Sequence, residues 1–309
     1  MSHPHSILVL GAGELGMAML RALARRATAG VSVTVLLRQS TIDSTDPARQ
    51  RDIAELRALG IRILAGDLSA QSTEALAATF APFDNVVSCT GFVGGPGIQR
   101  KLARAALDAG IKRYLPWQFG VDYDVIGRGS AQDLFDEQLD VRDMLRAQHD
   151  TEWIIVSTGM FTSFLFEPSF GVVDLDAGIV HALGSWDNAV TVTTAEDIGV
   201  LTAEILFAEP RIANQIVQVA GDTVTYRQLA DTIDALLGLT VRREAWSVRH
   251  LLQTLADEPG NTMRKYRAVF AAGSGVAWDK ADTFNVRHGI PVSDLEAWMH
   301  RHLIAAPTF

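Results

Sequence analysis

Residues 7–16 read Ile-Leu-Val-Leu-Gly-Ala-Gly-Glu-Leu-Gly, a short apolar run that leads into the spacing G-x-G-x-x-G. A helix-forming sequence follows directly over residues 17–26. This order predicts a buried strand, a tight glycine turn and a helix whose N-terminus faces a phosphate. Gly11 allows the turn, Gly13 lets a pyrophosphate approach the backbone, and Gly16 lets the helix pack closely on the strand. The predicted cofactor-binding residues of this stretch are Gly11, Gly13, Glu14, Leu15 and Gly16.

The composition limits the class of protein. A chain of 309 residues is long enough for one large domain or two smaller ones. The net charge of -9 argues against sequence-independent nucleic-acid binding, which needs clustered Lys and Arg. A single cysteine, Cys89, excludes an intrachain disulfide and fits a reducing compartment.

Targeting and metal signals are not found in the sequence. Residues 1–6 lack the pattern of a signal peptide, and the most apolar stretch, 153–166, is too short and too polar to span a bilayer. The eight histidines show no metal-site spacing. We therefore expect a cytoplasmic protein without a membrane span or a metal, and the sequence leaves open whether it forms an oligomer.

The first half of the chain alternates strand and helix patterns. The predicted strands are 7–10, 31–37, 61–65, 85–89, 112–115 and 153–156. The predicted helices are 15–27, 47–59, 72–80, 98–109 and 132–148. Continuous apolar strands in repeated β–α units predict a parallel sheet covered on both faces, which is the α/β, doubly wound Rossmann fold.

The pattern changes after residue 158. Residues 172–180 predict a hairpin, and later segments mix strands and helices without regular alternation. Further strands are predicted at 190–193, 215–219 and 240–245, and helices at 195–207, 226–236, 248–255, 263–270 and 292–303. We predict a nucleotide-binding Rossmann domain over 1–158, to which part of 190–220 returns, and a smaller α+β, mainly substrate-binding domain over 159–309.

Three strand ends indicate the cofactor. The second strand ends in Arg38 instead of the carboxylate that binds a ribose 2′-hydroxyl, so a 2′-phosphate and hence NADP(H) is predicted. The alternative is a solvated arginine. Asp67, after the third strand, is predicted to meet the adenine amino group or else to form a turn. Thr90 and Gly91 begin a glycine-rich loop after the fourth strand that either faces the nicotinamide or is a flexible connection.

These motifs, together with the stretch Lys-Arg-Tyr-Leu-Pro-Trp-Gln-Phe-Gly at 112–120, resemble the NmrA-like, isoflavone-reductase-like atypical short-chain dehydrogenases. In the family pattern, Ser and Glu are usual where this chain has Trp117 and Gln118. Phe119 of the same motif is predicted to contact the cofactor. The resemblance implies NADPH-dependent reduction of an aromatic, phenylpropanoid-like alcohol, ether or enone. The family also contains regulatory members that sense NADP(H) without turning over a substrate.

The resemblance also implies a catalytic lysine within the pattern F-x-x-K-x-x-V/I-R, and here that position is Gln138. Independently of the family, Leu134, Gln138, Val141 and Leu145 share one helix face, so Gln138 is predicted to point inward. It is either a core glutamine bonded to the backbone or a neutral hydrogen-bond donor to the cofactor or substrate. Glutamine cannot deliver a proton as lysine can.

Another proton donor is therefore sought near the end of the fifth strand. The pair Y-x-x-x-K of other short-chain dehydrogenases is absent from the sequence. Asp122, Tyr123 and ordered water are the candidates, although either residue could be an ordinary loop residue. The predicted catalytic set is thus Gln138, Tyr123 and Asp122.

Aromatic residues near the predicted strand ends suggest a pocket for a flat substrate. The predicted substrate-binding residues are Phe92, Trp117, Phe161 and Phe164, each of which could instead belong to the core. Two main hypotheses follow: an NADPH-dependent reductase of an aromatic substrate, or a non-catalytic NADP(H)-sensing protein. An epimerase or dehydratase that uses bound NADP(H) catalytically is a weaker third.

Overall fold

The structure is a computed structural model that describes residues 6–27 and 30–305. The expected lack of a signal peptide concerns residues 1–6, which lie outside the described residues except for Ser6. Within the described ranges, no helix is long and apolar enough to cross a bilayer.

The chain divides into two compact units. The first comprises residues 1–118, 137–156 and 198–217, and the second comprises 119–136, 157–197 and 218–309. Residues 119–136, from the first half of the sequence, thus belong to the second unit. The functional division into cofactor and substrate domains stays a prediction.

The first unit is built on a seven-stranded parallel sheet, and the second contains two three-stranded sheets. The strands are β1 (Ser6–Leu10), β2 (Ser32–Leu37), β3 (Arg62–Ala65), β4 (Asn85–Ser88), β5 (Arg113–Leu115), β6 (Glu152–Ser157), β7 (Met160–Phe161), β8 (Val173–Asp174), β9 (Ile179–Leu183), β10 (Ala189–Thr193), β11 (Gln215–Gln218), β12 (Asp222–Thr225) and β13 (Arg242–Trp246). The large sheet has the order β11-β6-β5-β4-β1-β2-β3. The small sheets have the orders β12-β10-β7 and β13-β9-β8. The predicted doubly wound fold is confirmed.

Helices connect the strands. They are α1 (Glu14–Arg26), α2 (Gln39–Ile42), α3 (Pro47–Ala58), α4 (Thr73–Phe80), α5 (Ile98–Asp108), α6 (Tyr123–Ile126), α7 (Leu134–Arg146), α8 (Ala195–Leu206), α9 (Tyr226–Leu237), α10 (Val248–Asp257), α11 (Thr262–Ala272), α12 (Phe284–Arg287) and α13 (Leu295–Met299). Short 3₁₀ turns lie at Phe92–Gly94, Thr162–Phe166 and Lys280–Asp282. The helix predicted over 292–303 begins later than expected and ends in a π-helical turn, His300–Ile304.

Strand β1 is an interior strand of the large sheet, between β4 and β2. Its residues from Ile7 to Leu10 are fully buried, as expected for a strand covered on both faces. Leu8 pairs in register with Thr34 of β2 and Val86 of β4. On one face, Leu8 and Val86 share a buried apolar cluster with Leu102 of α5. This buried strand therefore holds the glycine turn that follows it in a fixed position.

Candidate functional site

The glycine turn after β1 is as tight as the sequence predicts. Gly11 has φ +91° and its N–H donates to the Leu36 carbonyl at 3.2 Å. A Cβ on Gly16 would lie 2.9 Å from the carbonyl carbon of Gly11 and closer still to its oxygen. A Cβ on Gly13, in contrast, would have no atom within 4 Å. Gly16 therefore serves the packing of α1 on the turn, whereas Gly13 borders open space.

Helix α1 begins at this turn, with its N-terminus beside the glycines. Gly13 is its N-cap residue, and no side chain caps the helix. Glu14 is exposed in the first turn, and Leu15 is buried beneath it. The uncapped N–H groups and the positive end of the helix dipole suit a phosphate. The residues present therefore fit the pyrophosphate of a dinucleotide.

A cleft of about 300 Å³ opens at this end of the sheet, entirely within the first unit. Its lining comprises Gly11, Ala12, Gly13, Leu36, Leu37, Arg38, Thr41, Arg49, Gly66, Asp67, Leu68, Ser69, Cys89, Thr90, Gly91 and Gly94. The cleft thus brings together Gly11, Gly13, Arg38, Asp67, Thr90 and Gly91 from the predicted cofactor set. Phe119, Glu14, Leu15 and Gly16 are not among its lining residues.

Two arginines are among the residues that line the cleft. Arg38 is exposed at the end of β2, and Arg49 comes from the first turn of α3. Thr41 of the short helix α2, which lies between the two arginines in the sequence, also lines the cleft and offers a hydroxyl group. Arg49 and Thr41 were not predicted from the sequence, because their presence in the cleft depends on the tertiary placement of α2 and α3. Two guanidinium groups and a hydroxyl fit a phosphate better than a neutral ribose hydroxyl.

Asp67 forms a turn and also lines the cleft. Its Oδ1 accepts the N–H groups of Ser69 at 2.8 Å and Ala70 at 3.0 Å. The hydrogen bond from Ala70, and then that from Ser69, lower the pKa of the Asp67 carboxyl. The turn interpretation of this residue is therefore correct. A role at the adenine stays a prediction.

The loop after β4 is held from several directions. The Thr90 hydroxyl donates to the Leu10 carbonyl at 2.9 Å, which ties the loop to the glycine turn. Gln99 of α5 donates from Nε2 to the carbonyls of Thr90 and Gly91 at 2.9 and 2.8 Å. The indole of Trp117 lies against Gly91, where an added Cβ would be 3.2 Å from Trp117 Cζ2. The loop is consequently fixed by contacts and is not a free connection.

Two predicted substrate residues meet beside this loop. The rings of Phe92 and Trp117 pack edge to face with their centroids 5.4 Å apart. Both side chains are half-buried. They form an aromatic wall next to Gly91 in the first unit.

Gln138 is fully buried and bonded to the backbone. Its Nε2 donates to the Trp117 carbonyl at 3.0 Å, and its Oε1 has no hydrogen-bond partner within the described chain. Gln118 reciprocates by donating from Nε2 to the Gln138 carbonyl at 2.8 Å, and Gln118 Oε1 accepts from Arg142 Nε at 2.8 Å. The inward direction predicted for Gln138 is confirmed. Its amide nitrogen takes the backbone-bonded arrangement that the sequence left as the alternative to a substrate contact.

The remaining predicted site residues belong to the second unit. Asp122 is the N-cap of α6 and accepts the N–H of Asp124 at 3.2 Å. Tyr123 is buried with its ring 4.9 Å from that of Phe135. Phe164 packs on Phe170 at 4.6 Å. Phe119 is buried and Phe161 half-buried. Their roles as cofactor, catalytic or substrate residues stay predictions.

Comparison with known proteins identifies the family. Residues 4–283 match the NmrA-like family. The chain belongs to the NmrA-like family. The resemblance seen in the sequence motifs is therefore confirmed, and it extends over most of the chain.

The chain is similar to several named proteins and to solved structures. An NmrA-like family domain-containing oxidoreductase of Gibberella moniliformis is 49% identical over 296 residues, covering 95% of this chain and 97% of the relative. Isoflavone reductase homolog P3 of Arabidopsis thaliana is 27% identical, covering 82% of this chain and 81% of that one. The solved structure of AtPrR2 with NADP⁺ and (+)-pinoresinol has a TM-score of 0.77 at 19% identity, covering 97% of this chain and 99% of the other. At that identity the structural likeness concerns the fold.

Proposed function

We propose that this NmrA-like protein is an NADPH-dependent reductase of an aromatic, phenylpropanoid-like substrate, and that the substrate is an enone in preference to an alcohol or ether. The observation that carries the cofactor assignment is the cleft itself. Its lining includes Gly13, the N-cap residue of α1, together with two arginines, Arg38 and Arg49. The 49% identical relative named an oxidoreductase supports the same class of reaction.

Each part of the cleft has a role toward NADPH. The N–H groups at the start of α1 bind the pyrophosphate, and the space beside Gly13 lets it approach. Arg38 and Arg49 bind the 2′-phosphate. Thr90 and Gly91 give the nicotinamide half a backbone surface, and the wall of Phe92 and Trp117 stacks on a flat substrate. When bound, NADPH supplies a hydride.

The chemistry at Gln138 favours an enone. Cleavage of a benzylic ether or ester needs a proton donated to the leaving oxygen. The lysine that the family pattern places here as a donor is replaced in this chain by the buried, neutral amide of Gln138. Hydride addition to the β-carbon of an enone forms a carbon–hydrogen bond, shifts the carbon–carbon π pair to between the α-carbon and the carbonyl carbon, and moves the carbonyl π pair onto the oxygen. Water can then protonate the resulting enolate, so no leaving group and no lysine are required.

The test is consumption of NADPH by the purified full chain with matched aromatic enones and benzylic ethers. Deuterium at the transferred position of NADPH should appear on the β-carbon of the enone product, detected by mass spectrometry. We expect turnover of at least one enone and none of the ethers. Tight NADPH binding without oxidation by any enone would refute the reductase proposal.

A second candidate is a non-catalytic NADP(H) sensor. The engagement of the Gln138 amide nitrogen with the Trp117 carbonyl favours it, because that amide is not directed at a substrate. A sensor would bind NADP⁺ and NADPH with clearly different affinities and would consume neither. Equal affinities together with enone turnover would exclude it.

A further inference from the structure

Helix α5 receives its N-terminal cap from another helix. Its N-cap residue is Gly97, with φ +91° and no side chain to offer. The Glu137 carboxylate of α7, only 6% exposed, accepts the N–H of Gly97 through Oε2 and the N–H of Gln99 through Oε1, both at 2.7 Å. The N–H of Arg100 approaches Oε1 at 3.3 Å. One buried carboxylate thus satisfies donors that the sequence of α5 leaves open.

Gln99 connects the end of α5 that Glu137 caps with the lining of the cleft. The residue is 1% exposed, and its Nε2 bonds to the carbonyls of Thr90 and Gly91, two residues that line the cleft. In a trans peptide the N–H points opposite to the carbonyl. The bonds from Gln99 therefore turn the N–H groups of Gly91 and Phe92 away from α5. The peptide orientation of this loop is set by a residue that Glu137 holds.

The neighbouring residue of α7 restrains the loop from the other side. Gln138 Nε2 fixes the Trp117 backbone carbonyl, and the Trp117 indole rests against Gly91. The peptides of Thr90 and Gly91 are held between Gln99 and Trp117. Both of those contacts are anchored on two consecutive residues of one helix, Glu137 and Gln138.

We propose that Glu137 is a positioning residue for the nicotinamide half of the cofactor, acting through Gln99 on the backbone of Thr90 and Gly91. The inference rests on the proposed function, because it assumes that NADPH occupies the cleft. It concerns the half of the cofactor opposite to the one that Arg38 and Arg49 bind. Glu137 itself is not among the residues that line the cleft.

Glu137→Gln in the full chain is the direct test. The variant keeps the shape of the side chain but replaces one accepting oxygen by an NH₂ group, which cannot accept a backbone N–H. Affinities are measured for NADPH and for adenosine 2′,5′-bisphosphate, a fragment that lacks the nicotinamide. We expect NADPH to bind about tenfold more weakly and the fragment to change less than about twofold. An equal loss for both ligands, or no loss for either, would overturn the proposal.

Asp140→Asn provides the matched control. Asp140 also lies on α7 and also contacts α5, through an exposed ion pair with Arg100 at 2.9 Å. Its conversion from carboxylate to amide should leave the affinity for both ligands close to that of the wild type. A loss of NADPH affinity as large as that of Glu137→Gln would indicate that any disturbance between α5 and α7 suffices, and would overturn the specific role.

Gln99→Ala tests the path by which Glu137 acts. It should reproduce the selective loss of NADPH affinity, and the double variant should lose little more than the larger single effect, because both act through one path. Fully additive losses would contradict that path. Failure of the cofactor assignment would be visible in the wild type, which would bind neither ligand, and failure of the reductase proposal would be visible as wild-type NADPH binding without oxidation by any enone. Failure of this inference leaves both wild-type binding and enone turnover intact.

Discussion

Gly13 and Gly16 lie three residues apart in one motif, yet alanine should affect them in opposite ways. At Gly16 the new Cβ would lie 2.9 Å from the Gly11 carbonyl carbon, against the 3.4–4 Å of ordinary contact. Helix α1 must therefore move by about 0.5–1 Å, and such overpacking costs about 1–3 kcal/mol. The helix preference of alanine returns up to about 1 kcal/mol. We expect a net loss of about 1–2 kcal/mol in the free energy of unfolding.

At Gly13 the same substitution should leave the fold unchanged. The residue has φ −77°, which alanine adopts readily, and an added Cβ meets no atom within 4 Å. Stability should stay within about 0.5 kcal/mol of the wild type. The methyl group would stand where the pyrophosphate approaches, so NADPH affinity should fall roughly tenfold or more.

Two measurements separate these outcomes. Chemical denaturation gives the free energy of unfolding of both variants, and calorimetric titration gives their NADPH affinities. We expect Gly16→Ala to lose stability and Gly13→Ala to lose NADPH binding while remaining as stable as the wild type. Unaltered NADPH affinity in a folded Gly13→Ala variant would refute the assignment of the turn as the pyrophosphate site.

Three further predictions concern single side chains. Arg38→Ala and Arg49→Ala should each weaken NADPH binding by about 10–100-fold and leave NADH affinity within about threefold of the wild-type value, as measured by fluorescence titration. Equal losses for both nucleotides would contradict the 2′-phosphate assignment. Burial raises the pKa of the Cys89 thiol, so iodoacetamide at about pH 8 should leave the native protein unmodified and should alkylate the thiol only in urea. Mass spectrometry measures the modification, and rapid alkylation of the native chain would contradict the burial of the thiol. The backbone N–H groups of Ala70 and Ser69 lower the pKa of Asp67, so the ionised carboxylate stabilises the folded protein fully above its unfolded pKa of about 3.9, and this stabilisation is lost as pH falls through the lower folded pKa. The difference in free energy of unfolding between wild type and Asp67→Asn should therefore be constant near neutral pH and shrink below about pH 4. A difference independent of pH would contradict this.

The glycine turn was predictable because its signals are local. The apolar strand, the turn and the helix are consecutive in sequence, and each glycine is required by backbone geometry that involves residues nearby in the sequence. The hairpin of β8 and β9 was predictable for the same reason, since its turn is short and its strands are adjacent. By contrast, β12 escaped prediction because it has only four residues and begins with Asp222 and Thr223, which do not resemble a buried strand.

The parts of the site that the sequence did not reveal depend on tertiary placement. Arg49 lines the cleft through the tertiary placement of α3, and helical periodicity carries no information about that placement. The inward direction of Gln138 followed from helix spacing, but its partner, the Trp117 carbonyl, lies 21 residues away in sequence. The cap that Glu137 gives to α5 spans 38–40 residues, so neither segment alone contains its signal.

The central claim is that the cleft of the first unit is a site for NADP(H) selected by its 2′-phosphate. Calorimetric titration of the full-length wild type with NADPH and with NADH, at the same ionic strength, tests it most directly. We expect one site and at least about tenfold tighter binding of NADPH, because Arg38 and Arg49 line the cleft and would meet the additional phosphate. Equal affinities for the two nucleotides, or binding of neither, would contradict it.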